Sequence, residues 1–239
     1  MNKKCFFCSG VLVFGARRLA IFKISKVYFW MKKVALFGYS GHAFVVAEAL
    51  LLCGYQIAGY YDRKEVAENP FNLPYLGSEN NSVVLSNFRS FAEAAALCIG
   101  DNTIRRKIFE LLQEIDIRSI VVQHPAAIVS GLATVGAGTF IAAGSIVNPL
   151  AKIGKGAILN TGCIIEHECS ISDFTHIAPG AVLAGNVTVG ENSFIGANSV
   201  IKQGITIGKN VIIGAGSVVL KDVPDNETRA GNPAKNLRR

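Results

Sequence analysis

Between Asn160 and His176 the chain gathers Asn160, Glu166, His167, Glu168, Asp173 and His176 into one short stretch. Histidine beside carboxylates is a combination that moves protons near neutral pH. A carboxylate that holds one ring nitrogen leaves the other free to act as a base. Either Glu166 or Glu168 can hold His167 in this way. One structural repeat after His167 stands Gly185, in Ala184-Gly185-Asn186, so a notch without a side chain is expected above the ring. The plain alternative is a surface histidine beside surface carboxylates. A zinc site needs more ligands than His167 and His176 supply, and His124 lies outside the repeat, so no metal is expected. A second chemical feature is Gly38-Tyr39-Ser40-Gly41-His42, with Asp62 about twenty residues on. Backbone N–H groups at a helix start can cradle a phosphate, and an acid at that distance can accept from a ribose or base.

The elements that must position the first cluster follow a strict rule. From Val129 to Val219 every sixth residue is a branched aliphatic, through Ile153, Leu159, Ile165, Ile171 and Ile177. The residue four places after each is almost always small, as in Ala151, Ala157, Cys163, Cys169 and Thr175. A period of six fits neither a helix nor a hairpin array; it marks a parallel β-helix. Three hexads make one coil of a triangular prism, so residues eighteen apart stack and five coils are expected. His167 is the third residue of its hexad and therefore falls near a corner, outside the core. Cys163 and Cys169 fall inward, as compact apolar fillers and not as nucleophiles.

Ahead of the prism, Lys33–Phe37 reads as a buried strand, Ala43–Cys53 as an apolar helix, and Gln56–Tyr61 as a second strand ending at Asp62. Ala94–Gly100 and Ile117–Gln123 read as strands, with a helix over Asn102–Ile115 between them. Residues 32–123 thus form a small α/β domain with a mostly parallel sheet. The turn lacks a full G-x-G-x-x-G, which argues against NAD. The basic run Arg105, Arg106 and Lys107 is expected to be a solvated helix face. The prism occupies 124–220, and a polar tail over 221–239 is expected to fold back across its last coil.

Lys and Arg exceed Asp and Glu by seven. Residues 1–30 hold Lys3, Lys4, Arg17, Arg18, Lys23 and Lys26 without an acid, so the body is nearly neutral and a nucleic-acid partner is not expected. The apolar stretch Cys5–Ala16 is too short to span a bilayer as a helix, and stable membrane insertion is not expected. We read 1–30 as an extension, dispensable or arising from an upstream start, with Met31-Lys32-Lys33 as a natural beginning. Cys5-x-x-Cys8 has no second half-site and carries no metal reading. Nothing in the cysteine usage demands an oxidising compartment, and the cytoplasm is the default.

Val129–Val219 resembles the left-handed parallel β-helix of hexapeptide acyltransferases, and Gly231-Asn232-Pro233-Ala234-Lys235 is similar to the tail of acetyl-CoA-dependent members. Residues 32–239 as a whole resemble bacterial sugar acetyltransferases that join a Rossmann-like nucleotide-sugar domain to such a prism. These include UDP-4-amino-sugar N-acetyltransferases and sialic acid O-acetyltransferases. The matching motifs are Gly38–His42, Gly59-Tyr60-Tyr61-Asp62, Asn160–Cys169 and Ser172–His176. The resemblance implies that His167 is the general base and that Glu168 orients it. It implies that Asn160 and His176 help place the acetyl thioester, with Gly185, Ala197 and Ala215 lining the acetyl-CoA groove. Ser40, Gly41, His42 and Asp62 would hold the nucleotide sugar. It further implies a homotrimer with CoA between neighbouring prisms. The expected reaction is acetyl transfer from acetyl-CoA to the 4-amino group of a UDP-linked deoxy amino sugar. O-acetylation of sialic acid or a related sugar, or a non-catalytic scaffold, stay open as alternatives at this point.

Overall fold

The computed structural model describes residues 32–237, and the basic extension with its Cys5-x-x-Cys8 pair lies outside the described residues. The first elements are β1 (Lys33–Phe37), α1 (Gly41–Leu52), β2 (Gln56–Tyr61), β3 (Tyr75–Gly77), α2 (Ser82–Ser86), α3 (Phe88–Phe91), β4 (Ala94–Leu97) and α4 (Asn102–Glu114). The four strands pair in parallel in the order β3-β2-β1-β4. All residues of β1 after Lys33 are buried, as a strand covered on both faces requires. Helix α4 turns Ile108, Phe109 and Leu112 inward and is capped by Asp101, whose side chain accepts from the Ile104 N–H at 2.8 Å. The short β3, α2 and α3 have no periodic signal in the sequence.

The expected final strand Ile117–Gln123 is a correction. Ser119 makes only an isolated bridge to Ala95, and Val122–Gln123 pairs instead with Phe140–Ile141 in the prism. The Val122 N–H donates to the Thr139 carbonyl at 2.9 Å, so the chain enters the prism two residues before the expected start at 124.

The prism itself follows the hexad rule. Its strands are two residues long, and partners lie eighteen apart, as in Ile158↔His176 and Ile164↔Val182. The aliphatic second residue of each strand points inward, and Leu159, Ile165, Ile177, Leu183, Ile195 and Ile213 are fully buried. The small residues between strands are buried too, including Cys163 and Cys169. Inward hydroxyls are satisfied: Ser145 donates to the Asn160 carbonyl at 2.9 Å and Ser193 to that of Gly208 at 2.8 Å. The tail folds over the last coil, where Thr228–Ala230 pairs with Ile212–Ile213 and Lys235–Asn236 closes antiparallel on it.

The three outer faces differ in chemistry. One sheet presents Thr134, Lys152, Ser170, Thr188 and Thr206, a polar wall. A second presents Phe140, Ile158, His176 and Phe194, and Phe140 and Ile158 share one core cluster with Ala43, Val46 and Leu50 of α1. The third presents Ile128, Ile146, Ile164, Val182, Val200 and Val218, a column of aliphatics with no covering layer among the described residues. No described helix is long and apolar enough to cross a membrane.

Candidate active site

His167 sits in the turn between strands Ile164–Ile165 and Ser170–Ile171, at the corner where the aliphatic face meets the polar one. Its Nδ1 lies 3.0 Å from Glu168 Oε2, so Glu168 and not Glu166 holds the ring. An ionised carboxylate only accepts, which assigns the proton to Nδ1 and leaves Nε2 with a free lone pair. Glu168 adopts φ +62°, a left-handed conformation unusual for glutamate, and this backbone bend presents its side chain to the neighbouring ring. The His167 side chain is 52 % exposed and therefore reachable.

Gly185 lies one coil away, where the Asn186 N–H donates to the His167 carbonyl at 2.9 Å. A Cβ at Gly185 would sit 2.6 Å from His167 Cε1 and 2.7 Å from Nε2. The expected empty notch above the histidine is thus a correction: the ring itself lies in it. Stacking at one coil's spacing brings an aromatic side chain down onto the next turn, and only a missing Cβ lets it lie there.

Asn160 and His176 form a separate pair. Asn160 Oδ1 accepts from the Thr161 N–H at 2.8 Å, which turns its Nδ2 toward His176 Nε2 at 3.2 Å. The amide donates, so the His176 proton resides on Nδ1. His176 stacks edge-on against Phe194 at 5.0 Å. Burial, with the charge of Arg105 and then His42, lowers its pKa to about 4. His42, from the first turn of α1, packs edge-on against Phe140 at 5.4 Å. Burial, then Arg105, lowers its pKa to about 4 as well, and its Nε2 is enclosed without a hydrogen-bond partner. Both rings are neutral at physiological pH.

The residues expected in the acetyl-CoA groove divide between two corners. Gly185 shares the corner of His167. Ala197 stacks above Pro179 and Thr161, with Ala215 next in the column, which puts both on the corner of Asn160. The two corners lie at opposite ends of the strand Ile164–Ile165 within one chain.

Of the residues expected at the nucleotide end, Ser40 and Asp62 line a cleft of about 390 Å³ at the carboxyl edge of the parallel sheet, together with Gly38, Arg63, Glu79, Gly100 and Asp101 among others. Asp62 is pinned: Oδ2 accepts from the Tyr39 N–H at 2.8 Å and Oδ1 from the Arg63 N–H at 2.7 Å. Gly38 needs its φ of +88°, and a Cβ there would meet Ile99 at 2.7 Å. Ser40 gives α1 no side-chain cap, so the first N–H groups of a twelve-residue helix are available to an anion. Gly41 opens that helix. His42 lies instead on the side of α1 that meets the prism.

The expectation that Arg105 is solvated is overturned. It is 0 % exposed, and it joins the two parts of the molecule. Its Nε donates to the Gly156 carbonyl at 2.6 Å, Nη1 to those of Ile99 and Gly100 at 3.0 Å each, and Nη2 to Asn102 Oδ1 at 2.7 Å and the Phe174 carbonyl at 3.2 Å. Burial lowers the guanidinium to about 9, still above neutrality, so it stays charged. Arg106 lies over the Phe174 ring at 4.9 Å and pairs with Glu191 at 3.2 Å. Phe174, at φ +55°, inserts from a prism turn against Phe109. The sequence signal available for this was an aromatic in a turn position whose counterparts eighteen and thirty-six residues away, Gly138, Gly156, Asn192 and Asn210, are Gly or Asn.

Among the described residues no cluster of three metal-ligating side chains exists. Comparison with known families matches residues 33–112 to the PglD N-terminal domain, 168–203 to the bacterial transferase hexapeptide (six repeats), and 186–221 to the hexapeptide repeat of succinyl-transferase. No curated protein matches the chain in sequence. Among solved structures, the acetyltransferase domain of PglB from Neisseria gonorrhoeae in complex with acetyl coenzyme A is 35 % identical, with a TM-score of 0.81 over 86 % of this chain and 99 % of that one. A variant of perosamine N-acetyltransferase from Caulobacter crescentus, in complex with CoA and GDP-perosamine, is 32 % identical, with a TM-score of 0.82 over 87 % of this chain and 97 % of that one. WeeI from Acinetobacter baumannii is 26 % identical, with a TM-score of 0.70 over 85 % of this chain and 99 % of that one.

Proposed function

Since this chain belongs to the hexapeptide-repeat acetyltransferases that carry a PglD-type N-terminal domain, we propose that it moves an acetyl group from acetyl-CoA to the 4-amino group of a UDP-linked deoxy amino sugar. The observation that carries this reading is His167, reachable, held at Nδ1 by Glu168 and free at Nε2. The nitrogen lone pair of the neutral acceptor amine attacks the thioester carbon. As the C–N bond forms, Nε2 of His167 takes a proton from that nitrogen. The C–S bond then breaks, and the CoA thiolate leaves and is protonated in turn. A covalent acetyl-enzyme is disfavoured: burial pushes the Cys163 thiol up to about 11 and raises that of Cys169, so neither offers a thiolate.

The nucleotide end would lie in the cleft between Gly38 and Asp62, its diphosphate on the first turn of α1. The acetyl donor would lie between prisms of neighbouring subunits. Two features support a homotrimer. The aliphatic column from Ile128 to Val218 is an apolar face that a copy of the same chain can cover. The division of groove residues between two corners is resolved when one subunit supplies the His167 corner and the next the Asn160 corner. We place the reaction in the cytoplasm, where acetyl-CoA is supplied.

The test is mass spectrometry of the product formed by the purified chain from acetyl-CoA and a panel of UDP-4-amino sugars, GDP-perosamine and sialic acids. A single added acetyl on the amine of a UDP sugar is the expected result. His167→Ala should lower turnover by roughly three orders of magnitude, within the range for general-base loss, while the far-UV spectrum is unchanged. A variant with near-normal turnover sinks the assignment of the base. Acetylation of sialic acid hydroxyls alone would transfer the function to the O-acetylating alternative.

A further inference from the structure

Arg105 is the most enclosed charge among the described residues, and none of its acceptors is a carboxylate. A surface ion pair would not need this arrangement, and a buried guanidinium is retained only where its donors are met. All five N–H groups are met, by four backbone carbonyls and one side-chain amide oxygen. The acceptors fall into two sets. Ile99 and Gly100 line the nucleotide cleft, whereas Gly156 and Phe174 belong to turns of the prism. Two further contacts reinforce the joint: Asn102 Nδ2 donates to the carbonyls of Asn192 and Ser193 at 3.1 and 3.2 Å, and the Phe174 ring packs on Phe109. The Gly100 carbonyl that receives Arg105 also acts on His176, the partner of Asn160.

From this we infer that Arg105 is a positioning residue: it locks the floor of the nucleotide cleft to the prism, so that binding the nucleotide sets where the sugar amine stands relative to the acetyl site. The inference rests on the function proposed above. Binding energy from the remote nucleotide accelerates the chemistry only if the two sites keep a fixed separation; across a loose joint it lowers KM and leaves kcat behind. Five planar donors aimed at fixed carbonyls make such a joint, and a lysine, with a single point charge, cannot reproduce it.

The experiment compares wild type with Arg105→Lys on a UDP-linked 4-amino deoxy sugar and on the same sugar without its nucleotide. Calorimetry with UDP alone and CoA alone, together with thermal unfolding, accompanies the kinetics. Expected for Arg105→Lys is a loss of kcat on the UDP-linked sugar of tenfold or more, as a displacement of about 1 Å can produce. The rate on the nucleotide-free sugar and both dissociation constants should stay within about twofold of wild type. A lowered unfolding temperature with kcat unchanged, or equal losses on both acceptors, would show a purely structural role and overturn the inference. Should Arg105→Lys not fold, Asn102→Ala removes one acceptor and the two cross-links to Asn192 and Ser193 while leaving the charge in place. The same split at smaller amplitude is then expected, and its absence overturns the inference. A wild type that acetylates neither acceptor overturns the proposed function instead.

Discussion

The corner that holds His167 and the junction that holds His42 and His176 use the same side chain for opposite ends. At the corner the ring is half exposed, lies on a glycine, and is gripped by a carboxylate that fixes its proton on Nδ1. At the junction the rings are shut in by Phe140 and Phe194, face a buried guanidinium, and are kept neutral by burial. A histidine becomes a base through access and a carboxylate, and a spacer through enclosure and a cation; residue type alone does not separate the two.

The sharpest way to break the contrast is at Gly185. Gly185→Ala places a methyl 2.6 Å from the His167 ring and must push it off its seat. Turnover should fall by about a hundredfold, the scale of a displacement near 1 Å, while the unfolding temperature changes little. Steady-state kinetics on the correctly folded variant checks this, and a rate within twofold of wild type would mean that the seat does not matter. Glu168→Gln is milder. The amide can accept from Nδ1–H but no longer stabilises the positive ring that forms during transfer. A loss in kcat of roughly tenfold is expected, with stability nearly unchanged because an exposed pair contributes at most about 1 kcal/mol.

The smallest effect probes the junction and is read as stability. In the unfolded chain each ring binds a proton near its ordinary pKa of 6.5, but in the fold only near 4. Between these values the unfolded state holds more protons. Stability is therefore complete above pH 6.5 and is lost as the pH falls toward 4, by roughly 2 kcal/mol for either ring at pH 5. Urea unfolding at pH 7 and pH 5 measures the drop. Replacing His42 by Gln should roughly halve it, leaving the part due to His176, and a slope unaltered by that change would remove His42 from the account.

Much of the prism was legible from residue spacing. The period of six assigned inward aliphatics, buried cysteines and a corner position for His167, because stacking between coils repeats the same environment at every eighteenth residue. The strands Lys33–Phe37 and Gln56–Tyr61 and the turn between them were equally plain, each being a local pattern of burial and glycine. The errors share a cause. Val122–Gln123 looked like part of the α/β sheet because an apolar strand does not state which sheet it will join. Arg105 looked solvated because its acceptors Gly156 and Phe174 lie 51 and 69 residues further along the chain.

The sequence by itself determined the prism, its eighteen-residue coil, the βαβ turn and the residues able to move a proton, since each depends on neighbours at short or periodic separation. The rungs that Val122–Gln123 and Thr228–Ala230 add beyond the five expected coils were not legible. Only the tertiary structure decided which carboxylate holds His167, that its ring fills the Gly185 notch, and that the expected groove residues stand on two corners. It alone joined the cleft to the prism through Arg105. Those outcomes depend on contacts across turns and between layers, where packing geometry and burial, and not residue type, set what a side chain meets.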